Sequence, residues 1–232
     1  MNSLKKTAKT TGLLYLIYIV FQALPIVIGS SKLVVNGDAM TTARNIMTSG
    51  WLFRMGYLVD LLAAVFFLLA AWALYGLLKR VNQNVALLFL LLNLGGVAIQ
   101  CFSDLFLIGS QILLRGADYL KAFPADQLQT MSMLFLNLHE NGFMVAQLFF
   151  AIWLFPLGYL VFKSNYLPGI LGILLMVECF GWLMYPLQFF LFPSSVITYV
   201  SSAIGFIGEF SLSLWLLIMG AKDQKPALVE VE

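Results

Sequence analysis

Six stretches of this chain are long and apolar enough to cross a bilayer, which takes about 20 mostly apolar residues, and this decides the fold class first. They run over residues 11–29, 51–78, 85–114, 143–162, 169–192 and 196–219. In hydrocarbon every backbone N–H and C=O needs an internal partner, so continuous apolar runs of this length become helices. The expected fold is an all-α integral membrane protein, a single transmembrane helical domain over residues 1–232 with 220–232 as a tail. Charged residues make up 10% of the chain, against about a quarter in soluble domains, which leaves no stretch for a soluble domain. The net charge of +2, spread without a basic block, excludes a nucleic-acid partner. The lipid bilayer is the partner the composition requires.

The first span follows Lys5, Lys6 and Lys9, as a secretory signal would. It also contains Gln22 and Pro25 and lacks a small-x-small cleavage site, so it is expected to remain as the first helix. With the N-terminus inside, Lys5, Lys6, Lys9, Lys79, Arg80, Lys163, Lys222 and Lys225 are cytoplasmic, and Lys32, Arg44, Arg54, Arg115 and Lys121 are external. The excess of inside charge predicts cytoplasmic N- and C-termini. Short connections at 79–84 and 163–168 make the helices they join antiparallel neighbours. Two external segments look helical. Gly37-Asp38 caps one that carries Met40, Ala43, Met47 and Trp51 on a face, and Pro124 opens another with Leu128, Met131, Phe135 and Leu138. Two short external amphipathic helices are therefore expected.

On the third span, Asn93, Gln100, Asp104, Gln111 and Arg115 recur at spacings of seven, four, seven and four, which holds them within about 60° of one another. A lipid-facing polar stripe is costly, so this face should meet other helices or water. The sixth span repeats the pattern with Ser202, Gly205, Glu209 and Ser213, the fifth with Glu178, Trp182 and Tyr185, and the second with Arg54, Tyr57 and Asp60. These stripes predict one shared interior among spans two, three, five and six. Asp60 and Asp104 fall in its outer half, His139 and Glu140 near the outer mouth, and Glu178 and Glu209 near mid-membrane. Arg54 and Arg115, the basic residues able to reach the outer acids, are both external. The deep acids thus have no counter-charge at their level, so they hold protons, share one or bind a cation.

The candidate cation- or ligand-binding set is Asp60, Asp104, Glu178, Glu209, Gln100 and Arg54; His139, Glu140 and Asp104 are the candidates for acid–base catalysis. His139-Glu140 begins an H-E-x-x-H motif, but Phe143 stands where the second His belongs. No P-loop, G-x-G-x-x-G or nucleophile elbow occurs. No metal and no cofactor is expected. Cys101 and Cys179 lie inside spans and read as small apolar fillers.

Several strings resemble a bacterial family of multi-pass membrane proteins, domain-of-unknown-function family 4386. They include Gly12-Leu-Leu-Tyr-Leu16, Gly37-Asp-Ala39, Leu52-Phe-Arg54 with Asp60-Leu61, Gly116-Ala-Asp-Tyr-Leu120, Leu136-Asn137 with His139 and Gly142, Gly158-Tyr-Leu160 and Tyr166-Leu-Pro168. The resemblance covers nearly the whole chain and implies six helices and a bacterial inner-membrane address. It supplies no activity. Members of that family tend to carry a second His about two-thirds along the fourth span, where this chain has Trp153, so a two-His site does not carry over.

Three function classes follow. The first is binding or translocation of a proton, a cation or a small amine-bearing or lipid-like ligand in an acid-lined, outward-opening cavity. The second is a structural or regulatory subunit of another membrane protein, in which buried Gln, Asn and Glu act as hydrogen-bond glue between helices. The third, with least support in the residues, is an intramembrane hydrolase-type enzyme acting on a lipid-like substrate. The oligomeric state does not follow from the residues.

Overall fold

A computed structural model describes residues 3–222; Lys225 and the expected tail beyond 222 lie outside the described residues. Among these residues six helices are long and apolar enough to span a membrane, at Leu4–Ile28, Gly50–Leu78, Gln83–Leu114, Ala125–Lys163, Gly169–Leu191 and Ser195–Ile218. The protein is a multi-pass, all-helical membrane protein. Its helices are α1 (Ser3–Ile28), α2 (Ala39–Thr48), α3 (Gly50–Leu78), α4 (Gln83–Leu114), α5 (Ala125–Ile152), α6 (Leu154–Lys163), α7 (Gly169–Leu191), α8 (Ser195–Ile204) and α9 (Ile207–Ile218).

Local chemistry sets most boundaries. Asp38 caps α2 by accepting the Thr41 N–H at 2.9 Å, and Asn82 caps α4 by accepting that of Val85 at 3.1 Å. The Thr41 hydrogen bonds hold the Asp38 carboxyl below the usual aspartate range. Gly29 (φ 83°) and Gly116 (φ 69°) turn the chain at the ends of α1 and α4 in the left-handed region that other residues avoid.

Two features differ from expectation. The helix that starts after Pro124 does not stop before the fourth span; α5 and α6 run on as one 39-residue rod from Ala125 to Lys163. The seam at Trp153 has Pro156 as its cause, since proline lacks an N–H and its ring crowds the carbonyl four residues back, that of Ile152. A rod of this length spans about 58 Å, almost twice the hydrocarbon thickness. Its N-terminal part therefore stands outside the membrane beside α4, pinned there by a 2.8 Å hydrogen bond between the Ser110 and Ser132 hydroxyls. The second difference is that the sixth span is broken into α8 and α9 at Gly205-Phe206.

The molecule has two apolar cores. The larger one, inside the membrane, centres on Tyr15, Phe67, Phe89 and Trp153. Trp153 meets Phe67 edge-on at 5.0 Å between centroids, and Phe89 and Tyr15 at 6.1 and 6.3 Å. A smaller core of Leu33, Ile46, Phe53 and Leu136 sits at the far end, where α2 packs against α3, α4 and α5. Both described termini lie at the other end. There the Tyr166 hydroxyl donates to the Leu77 carbonyl at 2.7 Å, and its own carbonyl accepts the Lys222 N–H at 3.0 Å.

Candidate functional site: two polar cavities

At about 1.5 Å of rise per residue, Glu178 stands about 14 Å from the start of α7 and Glu209 about 14 Å from the end of α9. Both belong to the middle of the bilayer. By the same measure Asp60, Asp104 and His139 stand about 27, 32 and 36 Å from the ends of their rods on the terminal side. The titratable groups therefore form two layers, and the structure gives each layer its own cavity.

The inner cavity, of 340 Å³, is a largely aromatic chamber between α1, α3, α5, α7 and the broken sixth span. Tyr18, Phe67, Phe143, Phe150, Trp153, Trp182, Tyr185 and Phe206 contribute rings to its wall, and Gln22, Gln147, Ser202 and Glu209 contribute polar groups. Glu209 is its only acidic lining residue, and neither Lys nor Arg lines it among the described residues. The Tyr15 hydroxyl donates to Glu209 Oε1. Glu178 lies behind the wall, 1% exposed.

The break in the sixth span explains Glu178. The first amides of the helix that resumes after a break need acceptors, and in hydrocarbon there is no water to supply them. Glu178 Oε2 accepts the Glu209 N–H at 2.8 Å, so a carboxyl group from α7 caps the N-terminus of α9 in mid-membrane. Close approach makes this possible. A Cβ on Gly208 would lie 2.9 Å from the Leu175 backbone nitrogen, and one on Gly205 would strike the Trp182 ring. Glu178 Oε1 has no hydrogen-bond partner.

The outer cavity, of 550 Å³, is lined by Tyr57 and Asp60 of α3, by Asn137, His139 and Glu140 of α5, and by the turn after α1. Asp104 is buried beside it. His139 Nδ1 lies 3.4 Å from Asp104 Oδ1 and hydrogen-bonds to the Ser103 carbonyl oxygen at 3.3 Å. Neither Asp104 oxygen has a hydrogen-bond partner. Among the described residues no three of His, Cys, Asp and Glu come close enough together to hold a metal ion.

The family described as Domain of unknown function (DUF4386) matches residues 10–220. The chain belongs to this family. One relative, an uncharacterized protein of Archaeoglobus fulgidus, is 37% identical over 79 residues, which cover 34% of this chain and 46% of that protein. The chain thus spans about half the length of this curated relative. No solved structure matches the chain.

In this DUF4386 chain, the acids expected in a single interior are divided. Glu209 lines the inner chamber with Glu178 buried behind its wall, Asp60, His139 and Glu140 line the outer one with Asp104 buried beside it, and the two cavities share no lining residue. The division on α5 is one of depth and not of face: His139 and Glu140 line the outer cavity, and Phe143 and Gln147, one and two turns on along the same side of the helix, line the inner one. Arg54 is exposed and lines neither cavity, and neither it nor Arg115 pairs with Asp60 or Asp104. Gln100 is buried but lines neither cavity. The polar face of α4 does turn inward, with Asn93 fully buried and both its amide atoms unpartnered. The residues that sequence reasoning did not single out are Tyr15, Tyr18, Phe67, Phe150 and Gln147. A signal existed on α1, where Tyr15, Tyr18, Ile19 and Gln22 fall at i, i+3, i+4 and i+7.

Proposed function

We propose that this protein binds or translocates a small organic cation, an amine-bearing ligand, in the inner cavity. One observation carries the reading: a chamber walled by eight aromatic rings has a single carboxyl group, Glu209, and no basic residue to neutralise it. Aromatic faces attract cations, most strongly away from water, and a carboxyl group fixes the position of an ammonium. The volume of 340 Å³ suits a compact ligand. A helix broken at the membrane midplane beside such a chamber is an arrangement that transporters use to hold charged substrates and coupling ions.

The outer cavity, with Asp60, Asp104, His139 and Glu140, is the outward-facing acid-lined vestibule of this reading, where protons or cations exchange with the external water. The excess of Lys and Arg at the terminal end supports cytoplasmic termini. The address we propose is a bacterial cytoplasmic membrane.

The test is equilibrium binding to purified protein, read by tryptophan emission, because Trp153 and Trp182 line the chamber. Phenethylamine and its uncharged analogue 2-phenylethanol are compared on the parent, Glu209→Asp and Glu209→Gln. The expected result is saturable binding of the amine alone, kept in the Asp variant and lost in Gln. Equal binding of the alcohol, or of the amine by Glu209→Gln, would overturn the proposal.

A further inference from the structure

We infer that the inner cavity is entered sideways from the bilayer, between α1 and α8, and that its ligand is an amphiphile, an ammonium carried on an apolar chain. This rests on reading the chamber as an ammonium site and adds the route and the ligand's other end. The rim of the cavity consists of residues that are themselves exposed. Ile26 on α1 is 67% exposed and Phe206 50% exposed, Ser202 on α8 is exposed, and all three line the chamber.

The packing explains the gap. α1 lies along α3 and α9, whereas α8 packs on α7, and no extensive packing joins α1 to α8. The sixth span leaves the α1 side of the bundle at its break, so beyond Glu209 the outer half of α1 and α8 diverge and leave the chamber open between them. Ser202 stands about 24 Å from the end of α9, within the hydrocarbon depth. An opening there meets acyl chains and not water. The water-facing outer cavity shares no lining residue with this chamber.

The lining accounts for the ligand. A water-soluble amine would have to abandon its hydration to enter from lipid, whereas an alkyl ammonium already resides there with its chain in hydrocarbon. Its chain can stay in the opening beside Ile26 and Phe206 while the head reaches Glu209. A free alkylamine and an amine-headed lipid share this chemistry.

The experiment uses the full chain in phosphatidylcholine nanodiscs, in a Cys101→Ala/Cys179→Ala background, with Ala23→Cys on α1 and Ser202→Cys on α8, two exposed residues that line the chamber, placed across the opening. The probe is 12-bromododecylamine, whose bromine quenches tryptophan, and the signal is the quenching that Glu209→Gln removes. Bridging the two thiols with a bifunctional, reducible thiol reagent is expected to abolish this signal, and reduction to restore it. Persistent quenching after bridging would overturn lateral entry while leaving the ammonium site intact. Absence of any Glu209-dependent quenching before bridging, together with failure of phenethylamine to bind, would instead overturn the proposed function. If the double-cysteine protein does not fold, Ile26→Phe and Ser202→Phe read by stopped-flow serve the same purpose, with slower Glu209-dependent quenching expected and unchanged rates overturning the route. A parallel arm with brominated-chain phosphatidylethanolamine and no added amine identifies the source. Glu209-dependent quenching there assigns a lipid headgroup, and its restriction to the bromoamine arm assigns a free amphiphile.

Discussion

Glu178 Oε2 accepts the backbone N–H of Glu209 at 2.8 Å, so one deep acid holds the helix that presents the other. Glu178 is thereby a positioning residue for the chamber, and Glu209 is the group that faces it. Replacing Glu178 by Gln keeps an oxygen for that amide and should leave thermal stability in detergent near the parent's. Replacing it by Leu strands the amide in an apolar surrounding and should cost about 1 to 3 kcal/mol. Equal melting temperatures for the Leu variant and the parent would show that the cap contributes nothing.

Close approach between the sixth span and α7 makes a second prediction. A Cβ on Gly208 would sit 2.9 Å from the Leu175 nitrogen and 3.0 Å from the Leu174 carbonyl carbon. Backbone cannot retreat as a side chain can, so Gly208→Ala should destabilise by about 1 to 3 kcal/mol. Gly76, inside α3, has no atom within 4 Å of its Cβ position. Gly76→Ala should therefore be neutral or gain about 0.5 to 1 kcal/mol from reduced backbone entropy. Thermal or denaturant melts of the two variants decide this, and equal effects would refute the packing argument.

The Tyr166 hydroxyl, in the loop between α6 and α7, donates to the Leu77 carbonyl. Burial pushes this phenol up to about 12, with Arg80 drawing it weakly the other way. In the unfolded chain it ionises near about pH 10, so the unfolded state loses its proton first as pH rises. The stability associated with Tyr166 is thus full below about pH 10 and declines between there and about pH 12. Tyr166→Phe should melt lower at neutral pH, by about 1 kcal/mol, and should lack that part of the alkaline decline. Parallel alkaline melting curves for parent and variant would contradict this.

Orientation is testable with impermeant thiol labelling in sealed, right-side-out vesicles of a Cys101→Ala/Cys179→Ala background. Lys121→Cys, in the connection after α4, should react from outside. Lys163→Cys, at the end of α6, should react only after permeabilisation. The reverse pattern would invert the topology and move the vestibule to the cytoplasmic side.

Much of this molecule was readable along the chain. Crossing a bilayer imposes a length and an apolarity on each segment separately, so six spans could be counted without knowing how they meet. The cap at Asp38 is equally local, because it involves atoms within a few residues of the helix end. The inward polar face of α4 was also legible, since lipid tolerates such a stripe on no other side.

The tertiary structure decided what the polar groups do, because that depends on atoms far apart in the sequence. No Pro interrupts residues 196–219, and the break at Gly205-Phe206 is supported by Trp182 and Glu178 reaching it from α7. Asp60 and Glu209 were both expected to face one shared interior, yet packing closes that interior between their depths and they line separate cavities. Arg54 was grouped with Asp60 in the sequence, but a separation of six residues puts it about 120° around the helix, and it is exposed, where a charge is solvated. The aromatic wall around Glu209 comes from five spans. Its rings are ordinary apolar residues to any reading of one helix at a time, and they become the wall of one chamber only where packing leaves a space between them.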